Sequence, residues 1–351
     1  MLFSYKYISH QIEKMQQFID FIFYEVWCKA PGNGQFRVEL FDGNPDLKEV
    51  MVLFQYGDTK SGDFFYGHVD CIYAHFAALN PAQIDRFKSW YQGNNDIEKA
   101  CTNDPTSQLV RYADIKLINA DLCNELSTFF KRLYPEMLGI AVFREKIGEL
   151  DDHYRCFMQI NASGKCPFCG INDIKGEHYT KREAYDHYLP KARYPFNSIN
   201  FRNLAPACHE CNSSYKLNKD PLRSTTGRRR AFYPYAQSCH SIQVTIDLNA
   251  SNVDQIVPED LVLQFGPKEL NEEIETWKDV YGIEERYKAQ CCSRNGKYWY
   301  MQIMDEWKEL GRSPTDFMSA LAMHTSKSPF ADSNFLRKAF LEGCQRVGLL
   351  G

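Results

Sequence analysis

The sequence contains no hydrophobic run that could cross a membrane, and its first residues do not resemble a secretory leader. Its 351 residues include no stretch of about 18 or more consecutive apolar residues, which a membrane-spanning helix would require. The first residues, MLFSYKYISHQ, lack the basic region, apolar core and small-residue cleavage site of a signal peptide. We therefore expect a cytoplasmic protein without a membrane partner.

A glycine-rich loop for nucleotide phosphates is also missing, as is a regular cysteine framework. Because the chain has no glycine-rich phosphate-binding loop of its own, any regulation of this protein by ATP would have to come from a partner subunit. The 13 cysteines are odd in number and mostly irregular in spacing, whereas disulfide frameworks are typical of short secreted domains. Paired cysteines in a long chain without a leader instead favour metal binding.

Charge is distributed unevenly along the chain. The formal net charge is −4, which by itself argues against a nucleic-acid-binding protein. Residues 173–230, however, contain 12 lysines and arginines against six aspartates and glutamates, a balance of +6, so the rest of the chain carries −10. A basic segment within an acidic protein is typical of a phosphate-binding face.

Two Cys-x-x-Cys pairs, Cys166 with Cys169 and Cys208 with Cys211, bracket most of this segment. The two-residue spacing lets both thiolates of a pair bind one ion, and two pairs complete the tetrahedron that zinc prefers. Gly170 follows the first pair, where a tight turn needs a residue that tolerates positive φ. Because sulfur fills all four positions, we expect a structural zinc site rather than a catalytic one.

The 38 residues between the pairs exceed the spacing of a simple zinc ribbon, and they carry candidate catalytic groups. Asp186 and His187 lie on a short strand-like segment. Asn203 precedes the second pair, and Asn212 follows it at the start of a predicted helix. Oxygen atoms of Asp186 and Asn212 would suit a hard divalent cation whose other positions hold water and phosphate oxygens, as magnesium prefers.

This segment resembles the HNH endonuclease superfamily. The resemblance rests on CPFCG at 166–170, DHYLPK at 186–191 and NLAPACHECNSSYK at 203–216. It implies a ββα-metal core with a structural zinc, in which His187 is the general base and Asn203 orients it. It also implies that Asp186 and Asn212 bind the catalytic Mg²⁺ or Mn²⁺.

The sequence departs from the family pattern at two positions. Asn212 replaces the more frequent third histidine, which favours magnesium or manganese over zinc at this site. Lys216 falls one residue later than the usual lysine of the family, and the resemblance assigns it no catalytic role.

The motifs predict an endonuclease that hydrolyses phosphodiester bonds of nucleic acid, with DNA as the expected substrate. As the resemblance implies, the products carry 5′-phosphate and 3′-hydroxyl ends. The motifs are also similar to those of bacterial antiviral-defence HNH proteins such as the Septu and retron-associated types, which implies an antiphage effector with an ATPase partner. The alternative is a zinc-stabilised module that binds nucleic acid without cleaving it.

Basic side chains around the motifs are candidate phosphate contacts, which would make nucleic-acid affinity fall steeply with salt. Taken singly, each is as compatible with an ordinary surface charge. The candidates are Lys191, Arg193, Arg202, Lys216, Arg228, Arg229 and Arg230.

The fold class expected from the whole sequence is α+β, in three segments. Residues 1–150 form a mixed α/β region whose sequence reveals no role, with partner or target recognition as the candidate. Strands are expected there at 36–41 and 50–54 and helices at 81 onwards and 120–134. Residues 151–235 form the zinc-stapled nuclease core. Residues 236–351 add strands at 242–246 and 261–265 and then helices, including one over 269–288.

Overall fold

The computed structural model describes residues 1–57, 59–238 and 241–350. Up to residue 160 the described chain is helical and contains no strand. Wider helical turns at Ile22–Trp27 and Leu133–Met137 extend two of the helices, the second through Pro135, where the sequence predicts a stop. The helices are Lys14–Phe21, Ala30–Asn33, Pro45–Tyr56, Lys60–Ala77, Pro81–Asn95, Ile97–Cys101, Tyr112–Lys116, Ala120–Arg132, Ala141–Ile147 and Leu150–Ile160.

The two strands predicted in this region are wrong. Residues 38–41 form a short 3₁₀ turn, and residues 50–54 lie inside the helix Pro45–Tyr56. Asn44 caps that helix by accepting a hydrogen bond from Leu47 N at 3.1 Å. The buried side chains of this helix recur at helical spacing, which outweighs the strand-like composition of the segment; they are Leu47, Val50, Met51 and Phe54.

After the helix Leu150–Ile160, the middle segment contains two short hairpins and one short helix. Strand β1 (Tyr185–His187) pairs antiparallel with β2 (Leu204–Pro206). The helix Glu210–Lys216, here called the site helix, follows β2. Strands β3 (Arg223–Ser224) and β4 (Gly227–Arg228) form the second hairpin. The predicted strand at Asp186 is thus confirmed.

The last segment begins with the predicted hairpin, β5 (Gln243–Leu248) antiparallel to β6 (Leu261–Gly266). The helix predicted over 269–288 is two helices, because Gly282 takes the left-handed conformation with φ of 59° and ends the first of them. The helices are Asn271–Tyr281, Ile283–Cys292, Arg294–Leu310, Pro314–Lys327 and Asn334–Arg346.

Both flanking regions pack on the cysteine-bearing segment. The Tyr5 hydroxyl donates to the Pro206 carbonyl at 3.0 Å, the Trp277 indole donates to Phe168 O at 2.6 Å, and the Tyr287 hydroxyl donates to Cys169 O at 2.7 Å. The buried apolar side chains of all three segments form one continuous core. The structure is therefore a mainly helical α+β fold with the cysteine-bearing segment at its centre. Over the described residues, no helix has the length and apolarity to span a membrane.

Candidate functional site

The four predicted zinc ligands form one buried cluster. Their Sγ atoms all lie within 4.8 Å of one another, and Cys169 Sγ is 4.0 Å from Cys208 Sγ. A tetrahedral zinc ion with bonds of about 2.3 Å would hold its sulfurs about 3.8 Å apart. Gly170 takes φ of 69°, as the turn after the first pair requires. The four cysteines, Cys166, Cys169, Cys208 and Cys211, could therefore bind a zinc ion with little movement.

Arg286, on the helix Ile283–Cys292, brings a positive charge to this cluster. Its side chain is buried, one guanidinium nitrogen donates to Cys211 Sγ at 3.2 Å, and the group stacks on the Tyr215 ring at 4.6 Å. Four thiolates around one zinc ion leave a net negative charge, which a buried arginine offsets. The cysteine spacing alone gives no sign of this residue.

Strand β1 places Asp186 and His187 beside β2, where Asp186 pairs with Ala205 and His187 with Leu204. Successive side chains of a strand point to opposite faces. Asp186 is accordingly buried in the core, whereas the His187 ring is half-buried and forms a T-shaped contact with the Tyr134 ring, with centroids 4.9 Å apart.

One hydrogen bond fixes the proton of His187. The Nε2 atom lies 2.9 Å from the Ser198 carbonyl oxygen. A carbonyl only accepts, so Nε2 carries the hydrogen, and the neutral ring presents the lone pair of Nδ1. Burial and the nearby Lys191 ammonium lower the pKa of His187 to about 3. The imidazole is thus neutral at physiological pH, with its Nδ1 atom unprotonated.

Asp186 is held by a buried lysine. Lys216 Nζ donates to Asp186 Oδ1 at 2.8 Å and to the His187 carbonyl at 2.8 Å, and the Lys216 side chain is fully buried. Burial raises the pKa of Asp186, while the Lys216 ammonium opposes that shift. The ammonium group of Lys216 thus lies inside the protein, and the nucleic-acid contact expected at Lys216 stays a prediction.

The other carboxylate oxygen, Asp186 Oδ2, is buried and accepts no hydrogen bond from any described residue. Asn212 is half-buried and lies about one helical turn before Lys216 on the site helix. A hard cation prefers carboxylate and amide oxygens, so the unpartnered Oδ2 and the Asn212 amide fit magnesium or manganese. Such an ion would share Asp186 with the ammonium group of Lys216.

Asn203 is fully buried and binds the chain that follows β1. Its Oδ1 accepts from Leu189 N at 2.7 Å, and its Nδ2 donates to Leu189 O at 3.1 Å and to Asn197 O at 3.2 Å. Asn203 thus contacts the backbone next to Ser198, whose carbonyl holds the His187 ring.

Three candidate phosphate contacts lie in the chain between β1 and β2. Lys191 is half-buried and donates to Lys131 O at 3.1 Å. Arg193 is exposed and donates to Asn218 O at 2.8 Å, and Arg202 is exposed and stacks on Tyr7 at 4.2 Å. Each keeps at least part of its side chain in reach of solvent.

The arginines after the site helix connect the segments. Arg228 donates to the carbonyls of Ser107 and Ala100, at 3.3 and 3.4 Å. Arg229 pairs with Asp279 at 2.6 Å, and Arg230 pairs with Glu273 at 2.9 Å. These contacts give the three arginines structural partners in the described chain.

Two curated proteins are similar to part of the chain. Protein ea31 of Escherichia phage lambda is 41% identical over 78 residues, which is 22% of this chain and 23% of the phage protein. The Septu protein PtuB of Bacillus thuringiensis is 31% identical over 68 residues, which is 18% of this chain and 25% of PtuB. The chain thus matches about a quarter of each relative's length. No family model and no solved structure matches the chain.

Proposed function

We propose that this chain is a metal-dependent HNH endonuclease that hydrolyses phosphodiester bonds of nucleic acid, with DNA as the preferred substrate. The observation that carries the proposal is the neutral His187, held through Nε2 by the Ser198 carbonyl, next in sequence to a carboxylate with a buried, unpartnered oxygen. The order of two strands and a short helix around these residues supports an HNH core.

In the proposed reaction, His187 Nδ1 accepts a proton from a water molecule while the water oxygen forms a bond to phosphorus. The bond between phosphorus and the 3′ oxygen breaks, and that oxygen takes a proton from solvent. The phosphate stays on the 5′ oxygen of the downstream fragment, and the upstream fragment ends in a 3′-hydroxyl. His187 then returns its proton to solvent.

Asp186 and Asn212 would hold the catalytic Mg²⁺ or Mn²⁺ through oxygen atoms. A bound ion supplies electrostatic stabilisation of the charge that develops on the phosphate oxygens. Lys216 keeps Asp186 in place from the opposite oxygen. The four cysteines would hold a structural zinc that fixes the site helix relative to the rest of the segment.

A second candidate function is a zinc-stabilised module that binds nucleic acid without cleaving it. The buried ion pair between Lys216 and Asp186 favours it, because the pair already neutralises the carboxylate that a catalytic cation would need. Both candidates share the zinc cluster and differ in whether a bond is broken.

Incubation of the purified protein with supercoiled plasmid, single-stranded DNA and RNA distinguishes the two. The endonuclease proposal predicts nicked or linear products with Mg²⁺ or Mn²⁺, and none after chelation of the added metal under conditions that leave the zinc bound. Mobility shifts without any cleavage product, over all substrates and both metals, would instead establish the binding module.

We further propose an effector role in antiphage defence with an ATPase partner subunit. The support is the partial similarity to the Septu protein PtuB. Affinity purification from the native host is expected to recover a second subunit, and phage plating is expected to fall on cells that express both. Unchanged plating efficiency and no co-purified subunit would contradict this role while leaving the nuclease proposal open.

A further inference from the structure

The chain between β1 and β2, residues 188–203 and here called the site loop, is anchored to the N-terminal helical region by asparagines. Asn197 is fully buried, and its Nδ2 donates to the Asn94 carbonyl at 3.0 Å. Asn94, also fully buried, donates back to Pro195 O at 3.0 Å. The end of the helix Pro81–Asn95 and the site loop are thus joined in both directions.

A second connection lies three residues further along the loop. Asn200 Nδ2 donates to Asn95 O at 3.1 Å and to Asn95 Oδ1 at 3.0 Å. The Asn200 carbonyl accepts from Asn203 N at 2.8 Å. Asn203 also donates to the Asn197 carbonyl at 3.2 Å. The loop asparagines therefore link the N-terminal region to Asn203 through hydrogen bonds on both sides of Ser198.

Phe196 adds a strained contact to the same loop. Its φ of 79° lies in the left-handed region, which is uncommon and strained for a bulky residue. The ring is fully buried among aromatic rings of the N-terminal region, with centroids 5.6 Å from Phe23, 5.2 Å from Tyr91 and 5.3 Å from Phe130. Packing against these rings supports the strained backbone of the loop at Phe196.

We propose that Asn197 and Asn200, anchored by Asn94 and Asn95, are positioning residues that hold the Ser198 carbonyl against His187. The inference rests on the proposed nuclease function and gives residues 1–150 a role in it. The N-terminal helical region sets the tautomer and orientation of His187 through the site loop. A partner that moves the end of the helix Pro81–Asn95 would thereby switch the nuclease.

The test uses the full chain with Asn197→Asp and Asn200→Asp, which keep side-chain shape but remove the Nδ2 donors. The expected result is that kcat for DNA cleavage falls about 10- to 100-fold at unchanged KM, because substrate binding is untouched. Asn119→Asp is the matched control. It caps a distant helix by accepting from Leu122 N, which aspartate does equally well, so its kcat should match the wild-type value.

A second measurement works even on a protein that cleaves nothing. Nitrogen-15 NMR of histidine-labelled protein reports the tautomer of His187, assigned by comparison with His187→Gln. We expect the Nε2–H tautomer in the wild type and in Asn119→Asp, and a mixture with Nδ1–H in Asn197→Asp and Asn200→Asp.

Wild-type tautomer and wild-type kcat in both loop variants would overturn the positioning role. If the loop variants lose zinc and melt at a lower temperature to the same extent as they lose kcat, the asparagines only stabilise the fold. If the wild type itself cleaves no substrate, the nuclease proposal fails, and the tautomer result still decides whether the asparagines hold the ring. If Asn197→Asp does not fold, Asn200→Asp, at a less deeply buried position, decides both readouts.

Discussion

The residue that most changes the view of the site is Lys216. Its ammonium group and the Asp186 carboxylate form an ion pair from which water is excluded, since their side chains are 0% and 3% exposed. A charge in such a place is costly without its partner. The Lys216 ammonium therefore offsets part of the cost of a charged Asp186 inside the core and leaves only Oδ2 for any further cation.

Removal of Lys216 should show how much the stability of the fold depends on this ion pair. Lys216→Met leaves a buried carboxylate unpaired, so we expect the free energy of unfolding to fall by about 3–5 kcal/mol in the absence of divalent metal. Addition of Mn²⁺ should then raise the melting temperature of the variant more than that of the wild type, because the ion replaces the lost cation.

Thermal unfolding with and without Mn²⁺ measures both effects. Lys181→Met, at an exposed position, is the control and should melt like the wild type. A Lys216→Met protein as stable as the wild type, or one indifferent to Mn²⁺, would argue against Asp186 as a metal ligand.

A second prediction concerns His153, which lies 2.5 Å through Nδ1 from the Tyr185 hydroxyl. Burial lowers the pKa of His153 from 6.5 to about 3. Above pH 6.5 the imidazole is neutral in both states and pH has no effect through it. Between pH 6.5 and 3 only the unfolded state binds the proton, so the free energy of unfolding falls by up to about 1.4 kcal/mol per pH unit as the solution is acidified.

Urea unfolding at pH 7.5, 6 and 5 tests this slope. His153→Gln keeps a hydrogen-bonding group near Tyr185 but does not titrate, so its stability should depend less on pH than that of the wild type. Since zinc loss in acid affects both proteins, the difference between them isolates His153. Parallel pH dependence would contradict the assignment.

At the scale of the element, the β1–β2 hairpin and the site helix form one unit, and the cysteine cluster connects its parts. The first cysteine pair precedes β1, and the second lies between β2 and the end of the site helix. A zinc ion across the two pairs would fix the helix that carries Asn212 and Lys216 against the strand that carries Asp186. Structural zinc sites contribute their binding free energy directly to folding.

Cys208→Ser should therefore lose zinc and unfold at a markedly lower temperature than the wild type, with loss of any cleavage activity. Metal analysis of the purified protein and calorimetry give the two quantities. Cys156→Ser, which changes an exposed thiol, should retain full zinc content and stability. A Cys208→Ser protein that is stable and free of zinc would show that the cluster is not a structural metal site.

Local patterns predicted part of this element structure. The predicted helix starts at residues 81 and 120 are confirmed, where Asn80 and Asn119 each accept a hydrogen bond from the first turn, and the β5–β6 hairpin is confirmed. Residues 50–54 were expected in a strand because a segment of five residues is too short to show the helical period, while its amino-acid composition is typical of strands. The break at Gly282 was missed because an isolated glycine is tolerated inside many helices.

In the candidate site too, local motifs were predicted from the sequence and tertiary contacts were not. Motif spacing predicted that the four cysteines would cluster and that Asp186 and His187 would lie on a strand. The Ser198 carbonyl, the Arg286 side chain and the Asn94 anchor are tertiary contacts, and their sequence positions carry no pattern. The place of Lys216 beside the site could have been predicted, because a residue four positions after Asn212 lies on the same face of a helix.

At the scale of the whole molecule, the flanking regions support the central segment from two sides. The N-terminal helices hold the site loop and the Tyr134 ring that packs on His187. The last segment supplies Arg286 to the cysteine cluster and the acidic partners of Arg229 and Arg230. The one continuous core makes the cysteine segment dependent on both.

Substitution of Arg286 tests whether zinc binding by the cysteine cluster depends on the last segment. Arg286→Met preserves much of the side-chain volume and removes the charge, so we expect zinc affinity to fall about 10- to 100-fold, measured by competition with a chromogenic chelator. Lys288→Met, on the same helix but paired with Glu284, should leave zinc affinity unchanged. Equal affinities of the wild type and Arg286→Met would show that the arginine only packs against the cluster.

The central claim is that His187 is the general base of a phosphodiester hydrolase. The most direct test is single-turnover DNA cleavage with Mg²⁺ or Mn²⁺ by the wild type, His187→Ala and His178→Ala, the last altering a histidine whose side chain is 94% exposed. We predict that His187→Ala loses at least about 100-fold in rate while it keeps wild-type zinc content and melting temperature, and that His178→Ala cleaves normally. Cleavage by His187→Ala at the wild-type rate would contradict the claim.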